Sequence, residues 1–568
     1  MKTRNKLELT WIGKDDKKKI EPRILKYIED KSYGDKNTGN MLIHGDNLLA
    51  LKSLEANYSG KIKCIYIDPP YNTGSAFDLY NDNLEHSIWL SLMKERLILL
   101  KKLLSDDGLI FIQIDDNEQA YLTVLMDELF GRKNHLNTIC VKMSEATGVK
   151  MTHANKRLPK LKEYILVYKK TDILINQIKI PKEKWDSEYK HLMININHDE
   201  INIIKNIMNM NNASDEDIKR ADNILKNVIT QNIEEYFKEN KITNKKEKER
   251  FKYDNAWRIL RDVATTEGAK SLADEKKKNN NGNYFLIKTK QNKIYLIKNK
   301  YNSDASQPRI KMLFADDYLM INPCDLWLDI TTTGLEAEGN VEFKNSKKPE
   351  KLIQRCIELS TQKGDYVLDS FLGSGTTVAV AHKMKRKWIG IEMGNQIYSH
   401  CKPRIDSIID GLDKTGITND VSWDKGGGYN FYELAPSLLN KDKYNNWVIS
   451  SEYDADMLAE AMCLHHGFKY IKDQTSFYKQ GYSTEKDFIY TTTNYITIQY
   501  LDMIHECMNN NESLLICCKS FDEECLNKYS SITIEKIPQS ILKKYEFGDV
   551  DYTLNIEDEI IDEEAENE

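Results

Sequence analysis

The sequence predicts an α/β fold: a largely parallel sheet with helices on both faces, broken by a long polar insertion and followed by a smaller α/β region. Three observations carry this reading. Short apolar runs alternate with amphipathic helical stretches over residues 41–170, the pattern of successive βαβ units. Residues 171–320 abandon that alternation for Asn-, Lys- and Glu-rich stretches with helical periodicity. Near Pro349 the alternation resumes.

The elements follow in order. Residues 1–40 are polar and read as an N-terminal arm. Met41 begins a short strand, Gly45 turns the chain, and Leu48, Leu51 and Leu54 mark one face of a helix. Ile62–Ile67 is a buried strand that stops at Asp68-Pro69-Pro70-Tyr71, followed by a loop of turn formers from Asn72. Residues 86–104 form a strong amphipathic helix, with Gly108 expected to close it. Leu109–Ile114 is another strand, and Asp115–Glu118 place acids at the start of a helix reaching Gly131. Tyr164–Tyr168 is one more strand.

Within the insertion, residues 185–265 read as mainly helical and residues 266–282 as a flexible basic loop. Tyr284–Lys288 and Lys293–Lys298 read as hairpin strands. Beyond it come a helix from Pro349, a strand to Asp369, a Gly turn, a helix from Thr376, and a strand ending at Glu392. Residues 394–412 read as helical and Lys425–Tyr429 as a linker. The remainder, 430–556, reads as a separate region.

The totals bound the function. A chain of 568 residues, at roughly 150 per domain, predicts three or four domains. Hydrophobic and charged fractions of 40% and 30% fit an ordinary globular protein. No apolar run is long enough to span a membrane, and the N-terminus lacks the apolar core of a signal peptide, so a cytoplasmic location is expected. Ten Cys without a Cys-x-x-Cys pair favour reduced thiols over zinc ligation or disulfides, and no metal is expected. Cys463 with His465 and His466 reads as helix surface.

The net charge is -7, but eight acids crowd the tail Glu557–Glu568, and without them the chain is at +1. Residues 141–190 carry twelve Lys or Arg against six acids, and residues 270–311 eleven against three. Local basic surface attracts phosphates whatever the global sum.

Two stretches carry the chemistry. Asp68-Pro69-Pro70-Tyr71 opens at a strand's carboxyl end, where open α/β sheets bind ligands. Two prolines remove two donors and leave acceptors, the Asp68 carboxylate and the peptide carbonyls. Converging acceptors suit an exocyclic amino group, and Tyr71 offers a face for stacking a base turned out of a duplex. The second stretch, Val367–Thr377, lies about 300 residues on. Gly373-Ser374-Gly375 between strand and helix describes a tight turn as well as a ligand cradle. Glu392, ending the next strand, can take both hydroxyls of a ribose, which points to an adenosine-containing cofactor without a clear diphosphate site.

Asp68-Pro-Pro-Tyr71 followed by Asp369-x-Phe371-x-Gly373-Ser374-Gly375-Thr376-Thr377 resembles the DNA amino-methyltransferases in the β-class order, with the catalytic motif first. His44-Gly-Asp46-x-Leu, Leu109 to Glu118, Asp325-Leu-Trp327 and Lys348-Pro-Glu350 resemble the modification subunits of type III restriction systems. The resemblance covers residues 41–170 and 320–410 firmly and 430–556 loosely.

It implies a circularly permuted, Rossmann-like, S-adenosylmethionine-dependent methyltransferase with a catalytic half at 41–170, a target-recognition insert at 171–320, a cofactor half at 321–425, and a C-terminal domain at 430–556 for partner or dimer contacts. The implied activity is transfer of a methyl group to the 6-amino group of a flipped adenine in double-stranded DNA. The implied partners are a helicase-nuclease subunit and a second copy of the chain. Asp68, Pro69, Pro70 and Tyr71 would be catalytic. Asp46, Asp369, Phe371, Gly373, Ser374, Gly375, Thr376, Thr377 and Glu392 would bind the cofactor, with Asp46 accepting from its amino group, Glu392 holding its ribose and Phe371 packing beside it.

The family often has His-Glu where this chain has Lys162-Glu163, so no role is assigned there. Two alternatives stand beside this reading. One is a solitary adenine methyltransferase for epigenetic marking. The other is a non-catalytic DNA-recognition module.

Overall fold

The computed structural model describes residues 8–15, 19–72, 85–144, 158–182, 184–210, 212–305, 307–341 and 347–545. The loop after Asn72, the 145–157 part of the first basic stretch and the acidic tail lie outside the described residues. The chain forms two compact units, 1–176 with 325–568, and 177–324.

The first unit is built on ten strands: β1 (Leu25–Gly34), β2 (Met41–His44), β3 (Ile62–Ile67), β4 (Leu104–Ile114), β5 (His135–Lys142), β6 (Lys162–Lys169), β7 (Leu326–Trp327), β8 (Tyr366–Asp369), β9 (Lys387–Glu392) and β10 (Gly428–Leu434). Their order is β1-β10-β2-β9-β8-β3-β4-β6-β5-β7. The six from β10 to β4 run parallel, and β6 lies antiparallel between β4 and β5.

Side chains alternate across this sheet as a period of two requires. Ile43, Ile65 and Ile67 enter one apolar cluster with Leu48 and Leu51 of α1 (Asn47–Tyr58) and Leu97 and Leu100 of α2 (His86–Leu103). Leu42, Cys64 and Tyr66 enter the opposite cluster with Ile353 and Ile357 of α3 (Glu350–Ser360) and Val378 and Ala381 of α4 (Thr376–Lys383). Burying one such Leu or Ile stabilises by about 1.5–3 kcal/mol, so both faces resist exposure. The α/β expectation is met, and among the described residues no helix is long and apolar enough to cross a membrane.

Several local expectations are corrected. Residues 25–34 are not part of an arm but an edge strand, paired antiparallel with β10 from Leu25↔Leu434 to Gly34↔Gly428. The polar outer face of an edge strand hid its periodicity. The expected linker at Lys425–Tyr429 runs into β10, and its glycines allow close backbone contact. A Cβ at Gly34 would lie 2.4 Å from the Gly427 carbonyl oxygen. Gly108 does not cap α2; the helix ends at Leu103 and Gly108 lies inside β4.

The C-terminal part of this unit has a five-stranded sheet from Lys469 to Lys536. Cys463 is buried against it, and His465, on another side of the helix Ala455–His466, is buried beside the Tyr545 ring, so neither lies on a helix surface.

The second unit holds a six-stranded antiparallel sheet in which the expected hairpin, observed as Tyr284–Lys288 and Ile294–Lys298, forms one edge. Its helices include His198–Asn209 and Asp215–Leu225, each opened by a reciprocal capping box. The basic stretch expected as a loop is a helix, Glu267–Lys277, which buries Ala269 and Ala273 one turn apart, while Lys276 and Lys277 reach back to the Leu286 and Tyr301 carbonyls at 2.7 and 2.8 Å.

Candidate active site

Four acids stand at the carboxyl edge of four adjacent parallel strands. Asp46 follows β2, Glu392 ends β9, Asp369 ends β8 and Asp68 follows β3. The two motifs far apart in sequence are therefore neighbours, since β8 pairs with β3 at Leu368↔Ile65.

The Gly turn follows β8. Gly373 and Gly375 have φ of 55° and 81°, the left-handed region that glycine adopts without strain. A Cβ on Gly373 would meet nothing within 4 Å, so the backbone there faces open space. Glu392 grips the turn: its Oε2 accepts from Gly373 N at 2.7 Å, and its Oε1 accepts from Met393 N, Gly394 N and Gln396 Nε2 at 2.9, 3.0 and 2.7 Å.

Asp369 accepts from Phe371 N at 2.9 Å and Thr377 Oγ1 at 2.5 Å. Burial nevertheless pushes its carboxyl up to about 7, with the Thr377 hydroxyl and the Phe371 amide opposing. The hydroxyls of Ser374 and Thr376 lie 3.2 Å apart, and Arg404 Nη1 donates to Thr376 Oγ1 at 2.9 Å. The side chains of Ser374, Thr376 and Thr377 thus brace the turn from within, and what the turn offers outward is backbone.

Asp46 caps α1, accepting from Leu49 N at 3.0 Å, and pairs with the buried Arg96 at 3.3 Å. Asn47 bonds the Ser370 carbonyl at 2.7 Å, tying this loop to the start of the Gly turn. Phe371 and Tyr71 pack on the same apolar cluster.

At the other end, Asp68 is 21% exposed and Lys348 12%, with Lys348 Nζ 2.8 Å from Asp68 Oδ2. The Tyr71 hydroxyl lies 2.6 Å from Asp68 Oδ1 and 2.8 Å from Glu163 Oε2. The Gln113 amide donates to Glu163, and the Tyr66 hydroxyl donates to Gln113. Trp89 Nε1 donates to the Pro70 carbonyl at 2.9 Å, fixing the proline turn from α2. Burial raises the Asp68 carboxyl above the ordinary aspartate range, and the Lys348 cation works against that rise. Burial also pulls at the Lys348 ammonium, but the Asp68 and Glu163 carboxylates more than reverse it, so Lys348 stays charged above the usual lysine value.

All the expected site residues thus lie along one edge of the sheet, from Asp46 to Tyr71. Lys348, Glu163, Gln113, Trp89 and Arg404 were not expected there. Glu163 had one available signal: it sits one residue after Lys162 at the start of β6, the strand beside β4, and so beside the carboxyl edge.

The arrangement is a group of acceptors beside a Gly turn. Open parallel sheets bind their ligands along such a carboxyl edge. The DNA methylase family matches residues 62–403, and the chain belongs to that family.

Among its relatives, the probable type III restriction-modification enzyme HindVI Mod subunit of Haemophilus influenzae is 35% identical over 457 residues, 76% of this chain and 58% of that protein. The type III EcoPI Mod subunit of Escherichia phage P1 is 29% identical, over 66% of this chain and 60% of that protein. The type III EcoP15I Mod subunit of Escherichia coli is 26% identical, over 81% of this chain and 77% of that protein. The chain spans about three fifths of the length of the first two.

Proposed function

We propose that this chain methylates the 6-amino group of a specific adenine in double-stranded DNA, using S-adenosylmethionine, as the modification and specificity subunit of a type III restriction-modification system. The observation that carries the reading is the adjacency of β3 and β8, which sets the Asp68 acceptor beside the Gly373 cradle. Membership of the DNA methylase family and the Mod names of three relatives support it.

The residues fit the cofactor. Gly373 leaves open space where a Cβ would stand, and buried carboxylates at the ends of β2 and β9 flank it. Glu392 would hold the ribose, Asp46 the adenine amino group, and Phe371 the ring face. When bound, S-adenosylmethionine supplies an electrophilic methyl group open to direct displacement, with no covalent enzyme intermediate.

The rest is done by the chain. Tyr71 stacks the flipped base. Asp68 and the Pro69 carbonyl accept from its amino group and turn the nitrogen lone pair out of conjugation with the ring. Trp89 holds the Pro70 carbonyl and so fixes the proline turn that carries these acceptors, and positioning supplies much of the rate. Residues 177–324 read the DNA sequence, and a helicase-nuclease partner and a second copy of the chain bind elsewhere.

With labelled S-adenosylmethionine, the purified protein is expected to methylate adenine in duplex DNA. Asp68→Ala is expected to lower the rate by at least about a thousandfold, as loss of a central polar group does, and to leave DNA affinity within about threefold. A variant that still methylates would overturn the site assignment.

A further inference from the structure

The acceptor that the proposed reaction needs is already covered. Lys348 Nζ sits 2.8 Å from Asp68 Oδ2, and a second carboxylate, Glu163 Oε2, lies 3.7 Å from the same ammonium. An ammonium and an exocyclic amine are both nitrogen donors, and they compete for one carboxylate oxygen. Glu163 accepts from the Gln113 amide and lies 2.8 Å from the Tyr71 hydroxyl, whose one proton it shares with Asp68 at 2.6 Å. It thus stands as a fixed second anion within a small side-chain rotation of Lys348.

We propose that Lys348 is a positioning residue that stands in for the target amino group on Asp68 and moves across to Glu163 when the flipped base arrives. This rests on the adenine methyltransferase reading above.

The exchange keeps the cation paired throughout. Leaving Asp68 for open pocket would strand a poorly solvated charge, whereas leaving it for Glu163 does not. Until the base arrives, the ammonium opposes the rise that burial imposes on the Asp68 carboxyl, and only an ionised carboxylate offers all of its lone pairs to an amino group. Among the described residues, the groups facing Asp68 are Lys348, Glu163 on β6, Tyr66 on β3, Tyr71, and Asp369 at the end of β8. Lys348 is the cation among them. Lys348 also stands two residues before Glu350, whose carboxylate is bonded at 2.8 Å by Arg404, the side chain that braces Thr376 of the Gly turn. One short segment therefore touches both halves of the site.

The test uses the full chain and a duplex carrying its methylated motif, with wild type, Lys348→Met, Lys348→Arg and Glu163→Gln. Removing the cation raises the proton affinity of Asp68 in the free enzyme, so Lys348→Met is expected to move the acid limb of kcat/KM to higher pH by about one unit. Lys348→Arg retains a cation and is expected to leave the limb near its wild-type position. Without an anion to receive it, Lys348 stays on Asp68, so Glu163→Gln is expected to raise KM for the target duplex about tenfold. Affinity for a duplex lacking the motif should stay within about twofold.

An unmoved acid limb in Lys348→Met, or a wild-type KM in Glu163→Gln, would overturn the proposal. Should Lys348→Met fail to fold by circular dichroism, the Glu163→Gln result decides alone. A wild type that methylates no duplex overturns the adenine reading and this inference together, whereas wild-type behaviour of the variants overturns this inference only.

Discussion

Asp369 lies at the foot of the Gly turn with its carboxyl raised by burial to about 7. A carboxyl whose folded value lies above its unfolded one contributes stability in full below about pH 4, and that contribution is lost as the pH rises through about 7. Asp369→Asn removes this dependence. Its melting temperature is expected to fall less than that of wild type between about pH 5 and pH 8, by thermal denaturation across that range. Parallel curves would contradict the assignment.

Gly373 makes a second prediction at this scale. Its φ of 55° costs an alanine about 1–2 kcal/mol, a modest loss of stability. Its Cβ would project into the space assigned to the cofactor, so Gly373→Ala is expected to weaken S-adenosylmethionine binding at least about tenfold by calorimetry.

Individual site residues were legible in the sequence where a strand end coincided with an unusual residue set. Asp68, Glu392 and Asp46 each follow an apolar run. Lys348 and Glu163 were not assigned roles, because their meaning lies in a three-body contact with Asp68 that no linear spacing encodes.

Among the elements, α4 shows how much of the site is held from behind. Lys383 reaches Glu350 and Asp413 at 2.8 and 2.7 Å, with all three side chains fully buried, and Arg404 joins at Glu350. This network fastens α3 and α4 under the Gly turn. Removing one member of a buried pair leaves an uncompensated charge, so Lys383→Met is expected to cost about 3–5 kcal/mol, measured by chemical denaturation. A loss under about 1 kcal/mol would show that the network does not hold the turn.

The buried strands and long amphipathic helices were legible because one face of each is apolar, as in β3 and α2. The edge strand β1 was not, since its outer positions are polar and its pairing with β10 joins residues some 400 apart. The helix Glu267–Lys277 was missed for a related reason: two alanines are a weak apolar stripe beside six charged residues.

For the whole molecule, the division is between a chemical unit and the unit 177–324. If the second unit reads the DNA sequence, replacing residues 177–324 with the corresponding stretch of a relative is expected to change which motif is methylated while the base modified remains adenine. Single-molecule sequencing of DNA from expressing cells reads both at once. An unchanged motif would place recognition elsewhere.

The parallel sheet, its interruption and its resumption were all legible from composition and alternation. A target sequence for the proposed reaction was not, because base reading depends on side chains presented in three dimensions rather than on a linear code.

The most direct test of the central claim compares DNA from cells expressing the wild-type chain with DNA from cells expressing Asp68→Ala, both by single-molecule sequencing. N6-methyladenine at one short motif in the first sample, and its absence in the second, is the expected result. No modified motif with the wild type, or a mark that persists with Asp68→Ala, would contradict an adenine methyltransferase centred on Asp68.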